Sequence, residues 1–332
     1  MIEDAGGPGS TATGPSPTGV TPAQHRVLAD LLALGQPRPR FDPDLGPQLR
    51  RQMETALTPL VDALPIEELW VGKRQLGQIH ACEAHWRAAR DESGFDWSAR
   101  TAAGSVVHKA IELSISSRSE AVPLDLVDHA MASLADDSRR SSPRPWLLTA
   151  SPLELADLRG RAHDTVVKFQ ECWPRLQAAW TPRTETGIGA ELCGSRIVLW
   201  GRVDLVLGVA RGDEARSLIV DLKTGRSYPG HLDDLRFYAL VQTLRIGVPP
   251  FRVASYYLDT ATFHAEDVTV EMLALAVRRT VDGAVKMARL LDLETAAAIS
   301  PGPTCTWCTL RHRCEGAITY RAARDEGIDD LP

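Results

Sequence analysis

Cys305, Cys308 and Cys314, in the run C-T-W-C-T-L-R-H-R-C, constrain the fold of this chain more than any other feature. A C-x2-C pair can place two thiolates on one metal or cluster, and a third shortly after nearly completes a four-ligand site. The fourth ligand must come from elsewhere, and Cys82, Cys172, Cys193 and His312 are the candidates. A ligand as remote as Cys82 would close a very long loop and tie the C-terminal segment to the N-terminal part of the chain. The group bound is either a structural zinc ion or an iron–sulfur cluster.

Six cysteines in 332 residues are too few for a disulfide scaffold. The first residues, M-I-E-D-A-G-G-P-G-S, lack a basic region followed by an apolar core, and no apolar run is long enough to span a bilayer. These features predict a cytoplasmic protein with no membrane association. The net charge of −6 argues against a surface coated with nonspecific nucleic-acid-binding groups, but leaves room for a local basic groove.

Residues 1–23, rich in Gly, Pro, Ser and Thr, are expected to be disordered. Helical periodicity is read over 24–34, 50–63, 73–90, 102–116 and 153–180, the last broken near Pro174. From Thr186 the period changes. Strands are expected over 188–192 and 196–200, around the turn Cys193-Gly194-Ser195, and then over 203–209, 217–222 and 251–258. Helices are expected over 233–246 and 270–293. This order suits an α/β fold with a mixed central sheet flanked by helices.

Two carboxylates and a lysine fall on the central strands. Asp204 lies in G-R-V-D-L-V, and Asp221 and Lys223 lie in I-V-D-L-K-T-G, two residues apart and therefore on one face of their strand. Such a pair of acids can hold a hard cation such as Mg²⁺, which takes oxygen ligands and keeps several waters. The backbone carbonyl of Leu222 is a candidate third ligand. The cation would polarise a phosphoryl oxygen and help activate water, while the Lys223 ammonium holds the water or stabilises developing negative charge. The plainer alternative is a salt bridge at strand ends.

These segments resemble the PD-(D/E)XK nuclease superfamily, and specifically its RecB-like branch, over most of the chain from Lys73 onward. G-R-V-D-L-V and I-V-D-L-K-T-G are similar to the branch's two central motifs. T-A-A-G-S-V-V-H-K-A-I-E is similar to its upstream helix motif, and this implies His108 as a further metal ligand. The family acid before the second motif would fall near Glu185 or Glu191. A later helix motif pairs a glutamine with a tyrosine four residues on. Here the tyrosine is Tyr238, either a DNA contact or a core residue, and Asp234 stands where glutamine is usual.

The resemblance implies a restriction-endonuclease-like fold and a DNA nuclease using Mg²⁺ or Mn²⁺, with catalytic residues His108, Asp204, Asp221 and Lys223. Exonuclease action on single-stranded DNA ends is the activity it suggests most. Branch members with a cluster, such as the AddB nuclease domain and CRISPR-associated exonucleases, combine a distant N-terminal cysteine with a C-terminal C-x2-C-x5-C. By that pattern Cys82, Cys305, Cys308 and Cys314 would hold a 4Fe–4S cluster joining the N- and C-terminal segments, although Glu83 replaces the proline usual after the first cysteine. Arg311 and Arg313, beside those cysteines, are candidate DNA contacts. The expected organisation is a disordered segment 1–23, a helical extension 24–72, and a nuclease domain 73–332 with the cysteine segment at 301–316. No G-x4-G-K-S/T run is present, so the chain has no P-loop ATPase of its own, and a helicase or another repair or defence protein is a conceivable partner.

Overall fold

The structure, a computed structural model, describes residues 19–90, 97–117, 121–139 and 141–325. One mixed sheet contains β1 (Leu69–Val71), β2 (Arg183–Leu192), β3 (Ile197–Leu207), β4 (Leu218–Lys223), β5 (Arg252–Tyr257) and β6 (Thr262–Asp267). Helices cover both of its faces, which is the α/β architecture expected. β4 is buried along L-I-V-D-L, as a strand covered on both sides must be.

On one face pack α2 (Leu45–Val61), α3 (Lys73–Ala81), α9 (Gly230–Ile246) and α10 (Val270–Leu290), around Met53, Leu57, Ile79, Leu199, Tyr238 and Met287. On the other pack α5 (Ala99–Ser116), α6 (Pro123–Asp136) and α8 (Pro152–Cys172), around Val106, Ala110, Val127, Val166, Val220 and Tyr256. Local chemistry sets their ends. Ser98 and Ser151 form capping boxes at α5 and α8, each satisfying N–H groups that the first turn leaves unpaired. Gly247, with φ +84°, ends α9 in the left-handed region that glycine enters without penalty.

The path of β3 creates the site. One edge pairs along its length with antiparallel β2. The other edge pairs in parallel with β1 at Ile197–Leu199, then antiparallel with β4 at Leu205–Leu207. Residues 200–204 therefore lie in a fork between β1 and β4. Alternation also slips there: Val203 joins one core and Leu205, two residues on, joins the other. Across the ladder Thr184 pairs with Leu205 and Thr186 with Val203, which sets Glu185 opposite Asp204. Glu185 has φ +46°, a conformation costing about 1–3 kcal/mol for a non-glycine residue and concentrated at functional sites.

Several elements depart from the periodicity. The helix expected over 73–90 breaks at Cys82, whose backbone is extended at φ −167°, and resumes as α4 (Glu83–Arg90). The helix expected from 24 starts at Pro22 as α1 (Pro22–Arg26), because Thr21 caps it, and a π-helical turn Val27–Leu31 follows. Of the segment 1–23 expected to be disordered, residues 1–18 lie outside the described residues, and Pro22 and Ala23 begin α1. The two strands expected within 196–209 are one, and β1, β6 and α6 were not foreseen. Within residues 24–72, expected as a helical extension, α2 lies in the first core and β1 joins the sheet. Between β2 and β3, Cys193, Gly194 and Ser195 make the expected turn, all with positive φ. Among the described residues, no helix is long and apolar enough to cross a membrane.

Candidate active site and cysteine centre

The fork in β3 gathers residues from six elements, α3, α5, α9, β2, β3 and β4. His108, near the middle of α5, places Nδ1 3.4 Å from Asp204 Oδ1. His108, Glu185 and Asp204 each offer a ligand atom within 4.8 Å of the others, the one such set among the described residues. Asp204 Oδ2 accepts from the Leu222 N–H at 2.7 Å, which ties the acid to β4. Burial pulls the His108 imidazole down, but the Asp204 charge and hydrogen bond, with Glu185 and Asp221, leave it raised. The Glu185 carboxyl is raised, first by burial and then by the Asp204 charge, although Arg202 Nε stands 3.2 Å from its Oε2. Two carboxylates and an imidazole crowded together can hold a divalent cation.

Asp221 lies beside this set at 1% exposure. Lys73 Nζ donates to its Oδ1 at 2.9 Å, and Lys223 Nζ stands 2.5 Å from Oδ2. Burial alone would push this carboxyl up, but the two ammonium groups outweigh it and hold the carboxyl down at about 2. Lys223 also lies 3.6 Å from Asp234 Oδ2. Burial raises the Asp234 carboxyl against the pull of both lysines. His231, hydrogen-bonded to Tyr257 Oη at 3.0 Å, is held down at about 4 by burial and by the charge of Lys223. Asp204, Asp221, Lys223 and His108 are thus brought together as a group, with the Leu222 peptide between the acids.

Three residues enter that sequence reading left out or left open. Glu185 belongs to the site, whereas Glu191 lies six residues along β2 and accepts from Ser195 Oγ at 2.5 Å. Lys73 arrives because the chain passes from β1 through Gly72 directly into the fork. Asp234, in the place of the usual glutamine, faces the two lysines. Tyr238 was expected either as a DNA contact or as a core residue. It is 1% exposed, its hydroxyl donates to the Arg202 carbonyl at 2.6 Å, and Lys73 Nζ sits 4.9 Å from its ring centre. It braces the free edge of β3 from beneath. A hypothetical Cβ on Gly201 would lie 2.6 Å from Tyr238 Cε1, so that glycine admits the ring.

Two clefts meet at the fork. The larger, about 650 Å³, holds His108, Glu185 and Asp204, with Arg100, Lys109, Arg139 and Arg202 among its walls. The smaller, about 390 Å³, lies between α3, α9 and α10 and is lined by Lys73, His80, Asp234 and Arg279 among others.

The cysteines form a second centre. The Cys82 Sγ accepts from the Ser300 N–H at 3.5 Å, Cys305 Sγ from Gly302 at 3.4 Å, and Cys308 Sγ from Leu310 at 3.4 Å. The Cys308 thiol is raised first by burial, against the Leu310 N–H, and further by the nearby Cys82, Cys305 and Cys314. Cys82 thus lies beside the segment that carries the C-terminal three. Cys193 lies by Thr58 and Glu54, and Cys172 ends α8, both elsewhere. Arg311 donates to the Cys308 carbonyl at 3.3 Å, and Arg313 is exposed on the same turn.

Comparison with known proteins matches residues 74–315 to the sequence profile of the PD-(D/E)XK nuclease superfamily. No curated protein matches the chain. Among solved structures, similarity extends to a "Putative exonuclease" from Eubacterium rectale, at 14% identity and a TM-score of 0.47, over 75% of this chain and 88% of that one. It extends also to the protein SSO0001, at 16% identity and a TM-score of 0.29, over 64% of this chain and 95% of that one.

Proposed function

Because the chain belongs to the PD-(D/E)XK nuclease superfamily, we propose that it is a divalent-metal-dependent deoxyribonuclease, acting as an exonuclease on single-stranded DNA ends. The observation that carries this reading is the convergence of His108, Glu185 and Asp204 beside the Asp221–Lys223 pair. His108, Glu185, Asp204 and Asp221 would hold Mg²⁺ or Mn²⁺, with the Leu222 carbonyl as a further oxygen. Such a cation supplies polarisation of the scissile phosphate and a more acidic water. Lys223 contributes a donor at the reacting phosphate, where one positioned charge stabilises the negative charge that develops on oxygen. Asp234, 3.6 Å away, orients that ammonium. Tyr238 and Gly201 hold β3 so that Asp204 keeps its station.

Cys82, Cys305, Cys308 and Cys314 would hold a 4Fe–4S cluster, since thiolates are the ligands such clusters take and Cys82 lies beside the C-terminal cysteine segment. A cluster there fastens α3, which carries Lys73 at one end and precedes Cys82 at the other, to the C-terminal turn. A cytoplasmic setting keeps these thiols reduced for ligation.

The test is degradation of an end-labelled single-stranded oligonucleotide by anaerobically purified protein. Cleavage should require Mg²⁺ or Mn²⁺, stop with EDTA, and fall by at least about 10²-fold in Asp204→Asn. Metal-independent cleavage, or an Asp204→Asn protein as active as the wild type, refutes the reading.

A further inference from the structure

The face of β3 that carries Arg202 continues away from the fork as a strip on which Trp200, and Trp70 of the neighbouring strand, stand exposed while Val198 is buried. Ile197, Leu199 and Val203 point into the first core, so Val198, Trp200 and Arg202 point the other way. The β2 residues opposite Arg202 and Trp200 are Gly187 and Gly189. Neither presents a side chain, and the Trp200 indole occupies the space. A Cβ on Gly189 would lie 3.3 Å from Trp200 Cδ1, and one on Gly187 would lie 3.9 Å from Cζ2. The ring thus lies across both glycines and leans toward the end of the strip where Glu185 and Asp204 stand. On the neighbouring strand Leu69 and Val71 enter the same core, which turns Trp70 outward beside Val198. Its indole nitrogen donates to Glu68 at 2.8 Å, fixing the ring. Trp200 is 46% exposed and Trp70 51%, far more than a tryptophan left to core packing.

We propose that Trp200 and Trp70 form a base-stacking subsite for a single polynucleotide strand, with Arg202 between them and the carboxylates that act on its backbone. This rests on the nuclease reading and adds the place where the strand lies. Two observations select that occupant. The strip is continuous with the larger cleft through Arg202, and Trp200 stands about 13 Å of strand from Asp204, within reach of a polymer held at the fork. Its chemistry is also that of a sequence-tolerant strand site: flat aromatic faces for bases, with arginines at the cleft end for phosphates. A duplex, whose bases are already stacked on one another, gains nothing from these rings.

The experiment measures binding in EDTA, where no cleavage occurs, of a thymidine 12-mer and an abasic 12-mer of equal length. The wild type should prefer the thymidine oligomer by about tenfold to a hundredfold, the range for stacking one base on an aromatic ring. Trp200→Ala should abolish the preference, and Trp200→Phe, which restores a ring and controls for folding, should recover most of it. Equal binding of the two oligomers by the wild type overturns the proposal, as does an undiminished preference in Trp200→Ala. Self-association that depends on Trp200, with oligonucleotide binding unchanged, would show instead that the strip joins two copies and would also overturn it. A protein that shows the preference, loses it in Trp200→Ala, and yet cuts no oligonucleotide with Mg²⁺ or Mn²⁺ would retain the strand site while refuting the nuclease reading.

Discussion

Replacing Lys73 with methionine should destabilise the metal-free protein in a way that depends on pH, because its main partner is the buried Asp221 carboxylate. The ion pair is 2.9 Å long, and the Asp221 side chain is 2% exposed. The folded protein holds that carboxyl at about 2, against an ordinary 3.8. The difference corresponds to about 2 kcal/mol of stability at neutral pH, on the scale of about 1.4 kcal/mol per tenfold change in acidity. Lys223 supplies part of it from 2.5 Å, and Lys73 is itself 30% exposed. The share lost in Lys73→Met is therefore about 1 kcal/mol. The sign follows from the depressed value: the contribution is complete above 3.8 and disappears as pH falls through about 2. Urea unfolding in EDTA at pH 7 should show the variant less stable by about that amount. The deficit should shrink steadily between pH 4 and about pH 2. A deficit that stays constant over this range would mean that Lys73 acts through packing on the Tyr238 ring, 4.9 Å away, and would refute the electrostatic account.

Lys223→Ala should lower the cleavage rate by roughly 10²-fold while shifting the Mg²⁺ requirement much less, as expected for loss of a stabilising donor rather than a metal ligand; recovery of the full rate at saturating metal would contradict this role. Gly201→Ala should cost about 1–3 kcal/mol in thermal or urea unfolding, since its methyl carbon would sit 2.6 Å from the Tyr238 ring, and an unchanged midpoint would show that the ring moves aside freely. Protein purified without oxygen should be brown and contain iron. Serine at Cys82, Cys305, Cys308 or Cys314 should give colourless, less stable protein, whereas Cys172→Ser and Cys193→Ser should stay brown. Stoichiometric zinc with no iron and no visible absorption would overturn the cluster assignment.

The reactive residues that sit close together in the chain were legible from order alone. Asp221 and Lys223 are two residues apart on a strongly apolar run, so a buried strand with both side chains on one face follows from the period of a strand. His108 was drawn in only by the resemblance of its helix to the family's upstream motif, and the cysteines by C-x2-C-x5-C. Periodicity also marked most of the long helices and the change to strands near Thr186. It failed where an element is short or a tertiary contact overrides it. β1 has three residues, and the helix through Cys82 breaks because that residue must turn its sulfur toward Ser300, far along the chain.

Which residues from separate segments meet was decided by pairing and packing. Glu185 and Glu191 share one strand and one face, and their sequence surroundings do not rank them. Antiparallel register with β3 sets Glu185 opposite Asp204 and leaves Glu191 at the far end of the strand. Lys73 reaches Asp221, 148 residues away, because β1 ends at the fork that β4 leaves open. Tyr238 is buried because Gly201 makes room for it, and the Trp200 ring lies over Gly187 and Gly189 with its other face half exposed. Spacing along a chain specifies the faces of one element, since that geometry is local. Contacts between elements depend on the register and layering of the whole sheet, which local periodicity does not contain.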